Sequence, residues 1–247
     1  MNGCTFNKKD NIQNLMRALF LNSMGGNTDA SGIAFVTDED VAVVKKDVQG
    51  TDLINTKEYD DAEDEYICPT TRFLMGHCRY KTKGHQRNNK NNHPIVRDLV
   101  VGVHNGCLSN DDELFRKYSN HFARNAEVDS EIIFALVEHF SKISDHNRVH
   151  EAIVRMAAEV KGSMACSLVH RYKPTVLWLF RNGYNGCDIL HFKDAGLIVW
   201  ATAERYIKVS TKEFESVLGP ATKIQIGPME GISIDLHRNK IFNFDLK

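Results

Sequence analysis

The alternation of apolar and polar positions along this chain predicts many short strands that frame a central pair of helices. Apolar side chains recur at helical spacing in three stretches, 11–24, 130–143 and 149–160. Runs rich in apolar and β-branched residues predict strands at 32–36, 41–44, 73–80, 99–104, 164–170, 175–180, 197–201, 223–226, 232–236 and 241–244. This order favours an α+β fold with mostly antiparallel sheets and helices on the outer faces.

The polar stretches between these elements predict turns and loops. Thr37-Asp38-Glu39-Asp40 lies between two predicted strands and is typical of a hairpin turn. The acidic run 60–65 predicts a solvated loop, and Asn105-Gly106, which ends the strand 99–104, by itself indicates a turn. No internal repeat or low-complexity linker interrupts the chain, so we expect a single domain over residues 1–247.

Composition and charge narrow the classes of partner. Hydrophobic residues make up 42% of the chain, which is enough for a sizeable core. Lysine and arginine total 31 and aspartate and glutamate 32, and a net charge of −1 gives no overall attraction to nucleic acid or anionic membranes. No apolar run reaches the roughly 18 residues that suggest a membrane-spanning helix. The first residues also lack the apolar core of a signal peptide, so we expect a cytoplasmic protein without a membrane partner.

One local basic stretch leaves nucleic-acid binding open as an alternative. Its basic residues are Arg79, Lys81, Lys83, Arg87, Lys90 and Arg97. With Tyr80 and His85 among them, such a patch can contact phosphates. The balanced net charge and the scarcity of aromatic residues favour an ordinary solvated loop instead, so nucleic acid is a minor alternative.

The cysteines and histidines predict no metal site. The six cysteines are scattered without a CxxC pair, which argues against a zinc cage. Cys166 and Cys187 fit core packing as small hydrophobic side chains. His146 and His150 lie four residues apart, but no third ligand is evident, so we interpret them as surface residues. The sequence therefore predicts neither a metal nor another cofactor.

Cys4 stands apart from the other cysteines because it lies beside the amino terminus. A thiol with a reference pKa of about 8.5 needs a base or a lowered pKa to become a good nucleophile. If Cys4 is the first residue of the mature chain, its own α-amino group, with a reference pKa of roughly 7.7–8.0, supplies that base. On position alone, an ordinary cysteine near a terminus is the simpler interpretation.

Further candidate residues lie at predicted strand and helix ends. Arg79 can hold a carboxylate through two parallel hydrogen bonds, although a surface arginine is the simpler interpretation. The side-chain amide of Asn105 and the backbone N–H of Gly106 can converge into an oxyanion hole, and glycine lets the backbone approach a ligand closely. Asp129 fits either a helix N-cap or a carboxylate for a substrate ammonium, and spacing alone favours the cap.

Five segments, in order, carry a resemblance to a known family. They are the Gly/Asp/Gly segment 26–34, the His-x-Arg-aromatic-x-Thr-x-Gly segment 77–84, Asn92-His93-Pro94, His104-Asn105-Gly106 followed by Asn110, and Asp129-Ser130-Glu131. Each is weak alone, but the order and spacing of all five resemble the class II glutamine amidotransferases, members of the N-terminal-nucleophile hydrolase superfamily. The resemblance covers most of the chain and is strongest between Cys4 and Glu131.

The resemblance implies a fold, a reaction and residue roles. It implies a four-layer αββα sandwich of two mostly antiparallel sheets. It implies that glutamine is the substrate and that ammonia leaves through a γ-glutamyl thioester. The implied roles are a nucleophile at Cys4, oxyanion donors at Asn105 and Gly106, an α-carboxylate ligand at Arg79, an α-ammonium ligand at Asp129, and pocket residues at Thr82 and His93.

The positions that precede Cys4 set a condition on this chemistry. Met1, Asn2 and Gly3 stand before it, so a free Cys4 amine requires the loss of a three-residue leader. Because relatives fuse this domain to a synthase or transferase domain and this chain ends near the expected domain end, we expect an ammonia acceptor on a separate chain.

Two other interpretations stay open at this point. A chain that retains its leader is expected to be a catalytically silent binding or partner protein with the same fold. An N-terminal-nucleophile hydrolase that cleaves another amide is the second, although Arg79 and Asp129 together fit an amino-acid head group better.

Overall fold

The computed structural model describes residues 9–143 and 148–247, and residues 1–8 and 144–147 are outside the described part. Its helices are α1 (Lys9–Ser23), α2 (Gly50–Leu53), α3 (Lys57–Tyr66), α4 (Asp111–Lys117), α5 (Glu131–Ile143), α6 (Val149–Glu159), α7 (Glu204–Thr211) and α8 (Glu215–Leu218). Within these ranges, none of the helices combines the length and the apolar character needed to traverse a bilayer.

The strands are β1 (Ala30–Thr37), β2 (Val41–Lys46), β3 (Thr71–Arg79), β4 (Ile95–Val96), β5 (Val100–Leu108), β6 (Gly162–His170), β7 (Lys173–Arg181), β8 (Asp188–Phe192), β9 (Leu197–Ala201), β10 (Ala221–Ile224), β11 (Glu230–Asp235) and β12 (Lys240–Asp245). Sheet A has the order β2-β1-β3, sheet B the order β12-β11-β7-β6-β5-β4, and sheet C the order β10-β8-β9. Neighbouring strands run antiparallel in all three sheets.

The three sheets and the helices form four layers. One face of sheet B packs on sheets A and C through a shared apolar cluster that includes Val36, Leu177 and Ile189. Its other face is covered by α5 and α6. Helices α1 and α3 cover sheet A, and α1 and α7 cover sheet C. The predicted α+β fold and αββα layering are therefore confirmed, although the layer opposite sheet B consists of two three-stranded sheets.

The local sequence explains most of these elements. The β1–β2 hairpin forms around Thr37, whose hydroxyl accepts hydrogen bonds from the N–H groups of Glu39 and Asp40. Helix α5 is apolar around most of its circumference because it lies between sheet B and α6. The three predicted amphipathic helices correspond to α1, α5 and α6.

The prediction of a solvated loop over 60–65 was wrong, because these residues belong to α3. Thr56 caps the helix by accepting a hydrogen bond from the N–H of Tyr59, and acidic residues in the first turn suit the positive helix end. Tyr59, Ala62 and Glu63 are buried at helical spacing beneath an otherwise acidic surface. The helix was missed because only a narrow stripe of its residues contacts sheet A and the rest of its surface is acidic.

The expectation that a turn ends the strand at Asn105-Gly106 was also wrong. Strand β5 continues to Leu108 and keeps its pairing with β6 in unbroken register. Gly106 has a φ of 151°, a value that glycine adopts without a steric penalty. The two residues therefore lie inside a sheet strand, which is more rigid than a loop.

The basic stretch is divided among several structural roles. Arg79 is buried, and Arg97 is partly buried and forms an ion pair with Glu131 at 2.7 Å. Lys83 forms an ion pair with Asp111 at 2.6 Å. Lys81, Arg87 and Lys90 are exposed, so the basic stretch does not act as one continuous surface patch.

The structure describes three of the four residues that were interpreted as core cysteines or surface histidines. Cys166 is buried in the core next to α5, and Cys187 packs against the cluster between the sheets. His150 is exposed, as expected. His146 lies outside the described residues.

Candidate functional site

A cavity lies between sheets A and C. The edge strands β3 and β9 face it from opposite sides, sheet B contributes Leu177 and Ile234, and α1 contributes Leu15 and Leu19. Its volume is about 650 Å³. Among the polar groups in its wall are His77 and Asn105. An enclosed space of this size with a few polar groups is typical of a small-molecule site.

One edge of β5 brings backbone groups to this region. Strand β4 pairs with β5 only at Val101 and Gly102, so no strand within residues 9–143 and 148–247 covers the edge beyond them. The carbonyl of His104 contacts the His77 ring, and the N–H of Leu108 donates to the Asp129 carboxylate. Because alternate residues of a strand direct their backbone groups to the same side, the N–H of Gly106 points to this edge as well.

The position of Gly106 requires glycine. A Cβ at this residue would overlap the carbonyl oxygen of Ser163 and lie 2.7 Å from Nε2 of His104. Asn105 is exposed, and its carbonyl accepts a hydrogen bond from the side-chain amide of Asn185 at 2.9 Å. Asn105 lies in the cavity wall, whereas Gly106, Arg79 and Asp129 are not among the lining residues. The side-chain amide of Asn105 and the N–H of Gly106 are two potential donors on adjacent residues.

Arg79 is buried at the end of β3 and organises the following loop. Its Nη2 donates to the carbonyls of Lys83 (2.6 Å) and Gly84 (3.0 Å), and its Nη1 donates to Oδ1 of Asn92 (2.9 Å). Burial lowers the pKa of Arg79, and the charges of Asp29 and Asp129 oppose that effect. The guanidinium remains a donor under all ordinary conditions.

The loop contacts limit how Arg79 can meet a ligand. A guanidinium has five N–H bonds, and three of those of Arg79 are donated within the described residues. The two N–H bonds that remain, one on Nε and one on Nη1, lie on different edges of the planar guanidinium group. Two parallel bonds to one carboxylate therefore require that at least one loop carbonyl leaves the guanidinium.

Asp129 lies directly before α5 and faces β5. Its carboxylate accepts a hydrogen bond from the N–H of Leu108 at 2.6 Å, and the residue is 2% exposed. The side chain of Asp129 therefore binds strand β5. The backbone carbonyl of Asp129 accepts a hydrogen bond from the N–H of Ile132 at the start of α5. The carboxylate also acts electrostatically on Arg79 and His104, so the three charged or polar groups are neighbours.

The other predicted site residues are distributed unevenly. His93 is buried behind the cavity wall, and Thr82 is exposed on the loop that follows β3. Cys4 lies outside the described residues. Cys107 follows Gly106 and is exposed as a residue. The protein around its sulfur and the negative charges of Asp129 and Asp111 raise the pKa of its thiol.

A cluster of three histidines, with His93 and His104 buried and His77 partly buried in the cavity wall, is the feature that residue-by-residue interpretation of the sequence missed. The rings of His77 and His93 are 4.3 Å apart, and Nε2 of His77 is 3.2 Å from the carbonyl oxygen of His104. Burial lowers the pKa of His77 to about 4, and it also lowers the pKa values of His93 and His104. The three rings are therefore neutral near pH 7. The sequence could have indicated this cluster, because each of the three histidines lies in one of the segments that carry the family resemblance.

The carbonyl of His104 assigns the tautomer of His77. A carbonyl only accepts, so Nε2 of His77 carries the proton. By the same argument, Nε2 of His104 donates to the carbonyl of Ser163 (3.2 Å), and the hydroxyl of Ser130 donates to Nδ1 of His104 (2.8 Å). Within the described residues, Nδ1 of His77 and both ring nitrogens of His93 are buried without a hydrogen-bond partner.

Comparison with curated proteins finds relatives that share part of the chain. No protein-family model matches it. Over 156 residues the chain is 28% identical to the glutamine–fructose-6-phosphate aminotransferase (isomerizing) of Staphylococcus aureus and 27% identical to that of Staphylococcus epidermidis. Each match covers 62% of this chain and 24% of the relative, so the match spans about a quarter of the length of these relatives.

Comparison with solved structures finds the same fold in three proteins. The structure described as the allosteric regulatory enzyme of purine biosynthesis aligns with a TM-score of 0.70 and 19% identity, over 94% of this chain and 46% of that one. The glutamine phosphoribosylpyrophosphate amidotransferase of B. subtilis gives 0.65 and 18%, over 95% and 46%. A glutamine aminotransferase class-II domain protein from Silicibacter pomeroyi gives 0.52 and 13%, over 87% and 90%.

The sequence matches and the shared architecture therefore confirm that this chain is related to the class II glutamine amidotransferase domains and has their N-terminal-nucleophile hydrolase fold.

Proposed function

We propose that this chain hydrolyses the side-chain amide of glutamine and supplies the ammonia to an acceptor. The observation that carries the proposal is the edge of β5 that no strand among the described residues covers beyond Gly102, with Asn105 in the wall of the 650 Å³ cavity and Gly106 directly after it. Two donors placed before the reaction stabilise the oxyanion of a tetrahedral intermediate, and the loss of one typically lowers kcat roughly 10²–10³-fold.

Cys4 is the proposed nucleophile. Its sulfur attacks the amide carbon of glutamine, and the α-amino group of a processed Cys4 takes the thiol proton and passes it to the leaving ammonia. Water then attacks the thioester and releases glutamate. Cys4 lies five residues before Lys9, where α1 begins, and α1 lines the cavity with Ile12, Leu15 and Leu19.

The amino-acid head group of glutamine is the proposed partner of the charged neighbours at the end of β3. In this proposal Arg79 binds the α-carboxylate once a carbonyl of Lys83 or Gly84 has moved away, and Asp129 binds the α-ammonium. His93 and Thr82 are the proposed remaining pocket residues. His93 supports the pocket wall, and Thr82 contributes its side chain from the loop that follows β3. The opposite charges of Arg79 and Asp129, which lie close to one another, support a zwitterionic substrate over a simple amide.

The ammonia acceptor is proposed to be a synthase or transferase on a separate chain. The named relatives are aminotransferases, which supports an acceptor for the ammonia. The proposal is tested by gel filtration with candidate acceptor enzymes and by glutaminase assays with and without them. Activity that no acceptor alters, together with separate elution, contradicts it.

Intact-mass measurement combined with a glutaminase assay tests the catalytic proposal. We expect active protein to have lost residues 1–3, so that its mass corresponds to a chain beginning at Cys4. Cys4→Ser, expressed with the same amino terminus, is the matched variant, and it should lose glutaminase activity. Mature protein that begins at Cys4 and leaves glutamine unchanged rules the proposal out.

A catalytically silent binding protein is the second candidate. The observation that favours it is the engagement of Arg79 with the loop carbonyls, which compete with a substrate carboxylate. Glutamine binding measured by calorimetry and turnover measured in a glutaminase assay, both on protein that begins at Cys4, distinguish the two. Binding without turnover by this form supports the silent protein, and turnover contradicts it.

A further inference from the structure

A polar bridge from His77 crosses the apolar contact between sheets A and B. His77 belongs to β3 of sheet A, where it pairs with Gly32, and His104 belongs to β5 of sheet B, where it pairs with Cys166. The Nε2–H of His77 donates across this contact to the carbonyl oxygen of His104 at 3.2 Å. The bridge therefore connects the cavity wall to the residue directly before Asn105.

The backbone around Asn105 and Gly106 is held by side chains from other elements. The carbonyl of His104 is bound by His77, that of Asn105 by Asn185, and the N–H of Leu108 by Asp129. The Asn185 contact holds the peptide that contains the Gly106 N–H, and the His77 and Asp129 contacts hold one peptide on either side of it. The direction of that N–H consequently depends on how firmly these planes are held.

The ring of His77 is itself held in place. His93 stacks on it at 4.3 Å with an angle of 30° between the ring planes. His93 lies in a segment held by Lys45, whose ammonium donates to the carbonyls of Asn92 and Pro94 at 2.7 and 2.9 Å. A line of contacts therefore runs from Lys45 through His93 and His77 to the carbonyl of His104.

We propose that His77 is a positioning residue, which fixes the peptide of His104 and thereby aims the donors of Asn105 and Gly106 into the cavity. This inference deepens the proposed glutaminase function and rests on it for its catalytic consequence. Its structural part, the bond from Nε2–H to the carbonyl and the orientation of the next two residues, is independent of any reaction. No role as general acid or base is assigned to the ring, because its proton is committed to a carbonyl.

The matched pair of variants is His77→Gln and His77→Leu. Glutamine can place an amide N–H near the position of Nε2, whereas leucine fills a similar volume without a donor. We expect His77→Leu to lower kcat for glutamine roughly 10–100-fold, as a small misplacement of reacting groups does, and to change KM less than threefold. His77→Gln should recover most of kcat. His170→Gln, a buried histidine at the far end of β6, is the control for general effects of replacing such a residue.

Nuclear magnetic resonance of the isotopically labelled full chain provides the readout that does not need activity. We expect the His77 imidazole as the Nε2–H tautomer, and we expect His77→Leu to shift the amide resonances of Asn105 and Gly106 while His77→Gln restores them. An Nδ1–H tautomer, or wild-type amide resonances in His77→Leu, overturns the proposal. If wild-type protein beginning at Cys4 lacks glutaminase activity, the proposed function fails, and these resonances still decide the positioning role.

Discussion

The carboxylate of Asp129 lies 2.6 Å from the backbone nitrogen of Leu108, two residues beyond Gly106 on the same strand. This contact gives Asp129 two separable roles, because it anchors β5 and also places a negative charge beside Arg79.

Asp129→Asn separates these roles, since asparagine keeps an oxygen for the N–H of Leu108 and loses the charge. We expect the KM for glutamine to rise roughly 10–100-fold, because a hydrogen bond to a charged group contributes about 1.5–3 kcal/mol. Stability in urea should change little. Steady-state kinetics and urea unfolding measure both effects. Asp61→Asn on the exposed face of α3 is the control, and an unchanged KM in Asp129→Asn would assign the carboxylate to the strand alone.

Gly106→Ala should destabilise the protein and abolish glutamine hydrolysis. The added methyl overlaps the carbonyl oxygen of Ser163, and the backbone already has a φ of 151°. Overpacking and strain together should cost about 3 kcal/mol of unfolding free energy. Gly183→Ala is the matched control, since its methyl meets no atom within 4 Å. Equal urea midpoints for the two variants would show that β5 accommodates a side chain here.

Arg79→Lys should loosen the loop that follows β3. A lysine ammonium cannot reproduce the fork that serves the carbonyls of Lys83 and Gly84 and the side chain of Asn92. An acceptor left without its donor costs about 1–3 kcal/mol. Hydrogen exchange followed by mass spectrometry should show faster exchange over residues 81–92. Arg87→Lys, an exposed arginine in the same loop, should exchange like the wild type, and slow exchange in both variants contradicts the prediction.

Acid should destabilise the protein in the range where histidine titrates. Burial depresses the folded-state pKa of His77 to about 4 and also depresses those of His93 and His104, which face Arg79, Lys45 and Asp129. The unfolded chain therefore binds more protons below pH 6.5, so stability falls as the pH falls from 6.5 toward 4. Each such proton contributes a slope of roughly 1.4 kcal/mol per pH unit.

Urea unfolding at several pH values between 4.5 and 7.5 measures that slope. His77→Gln removes one of the three groups and should give a shallower dependence than the wild type. Replacement of His237, which is exposed in the loop after β11, by glutamine is the control. Equal slopes for wild type and His77→Gln would mean that this ring is not held neutral by the fold.

Elements whose apolar pattern was regular were predicted well, and those that depend on distant partners were not. Helix α5 and the β1–β2 hairpin follow from periodicity and turn chemistry within a few residues. Helix α3 was missed because its buried stripe is short and its surface acidic. Strand β5 was ended too early, since only pairing with β6 and contacts from His77 and Asp129 reveal that it continues.

In the candidate site too, the sequence predicted the residue identities but not their contacts. The motif segments identified Arg79, Asn105, Gly106 and Asp129 as residues of interest. Their geometry adds that Arg79 supports a loop, that Asp129 anchors a strand, and that Thr82 is exposed. The contacts of Arg79 and Asp129 join residues 4 and 21 positions apart in the chain, so local spacing carries little information about them.

The amino-acid sequence by itself determined the alternation of strands and helices and the identities of the polar residues, because both depend on neighbours along the chain. Only the tertiary structure decided that three histidines from β3, β5 and the segment before β4 meet as neutral rings, since burial between two sheets removes the water that would otherwise support their charge. It also decided the direction of the Gly106 N–H, because that direction follows from side chains that reach β5 from other layers of the fold.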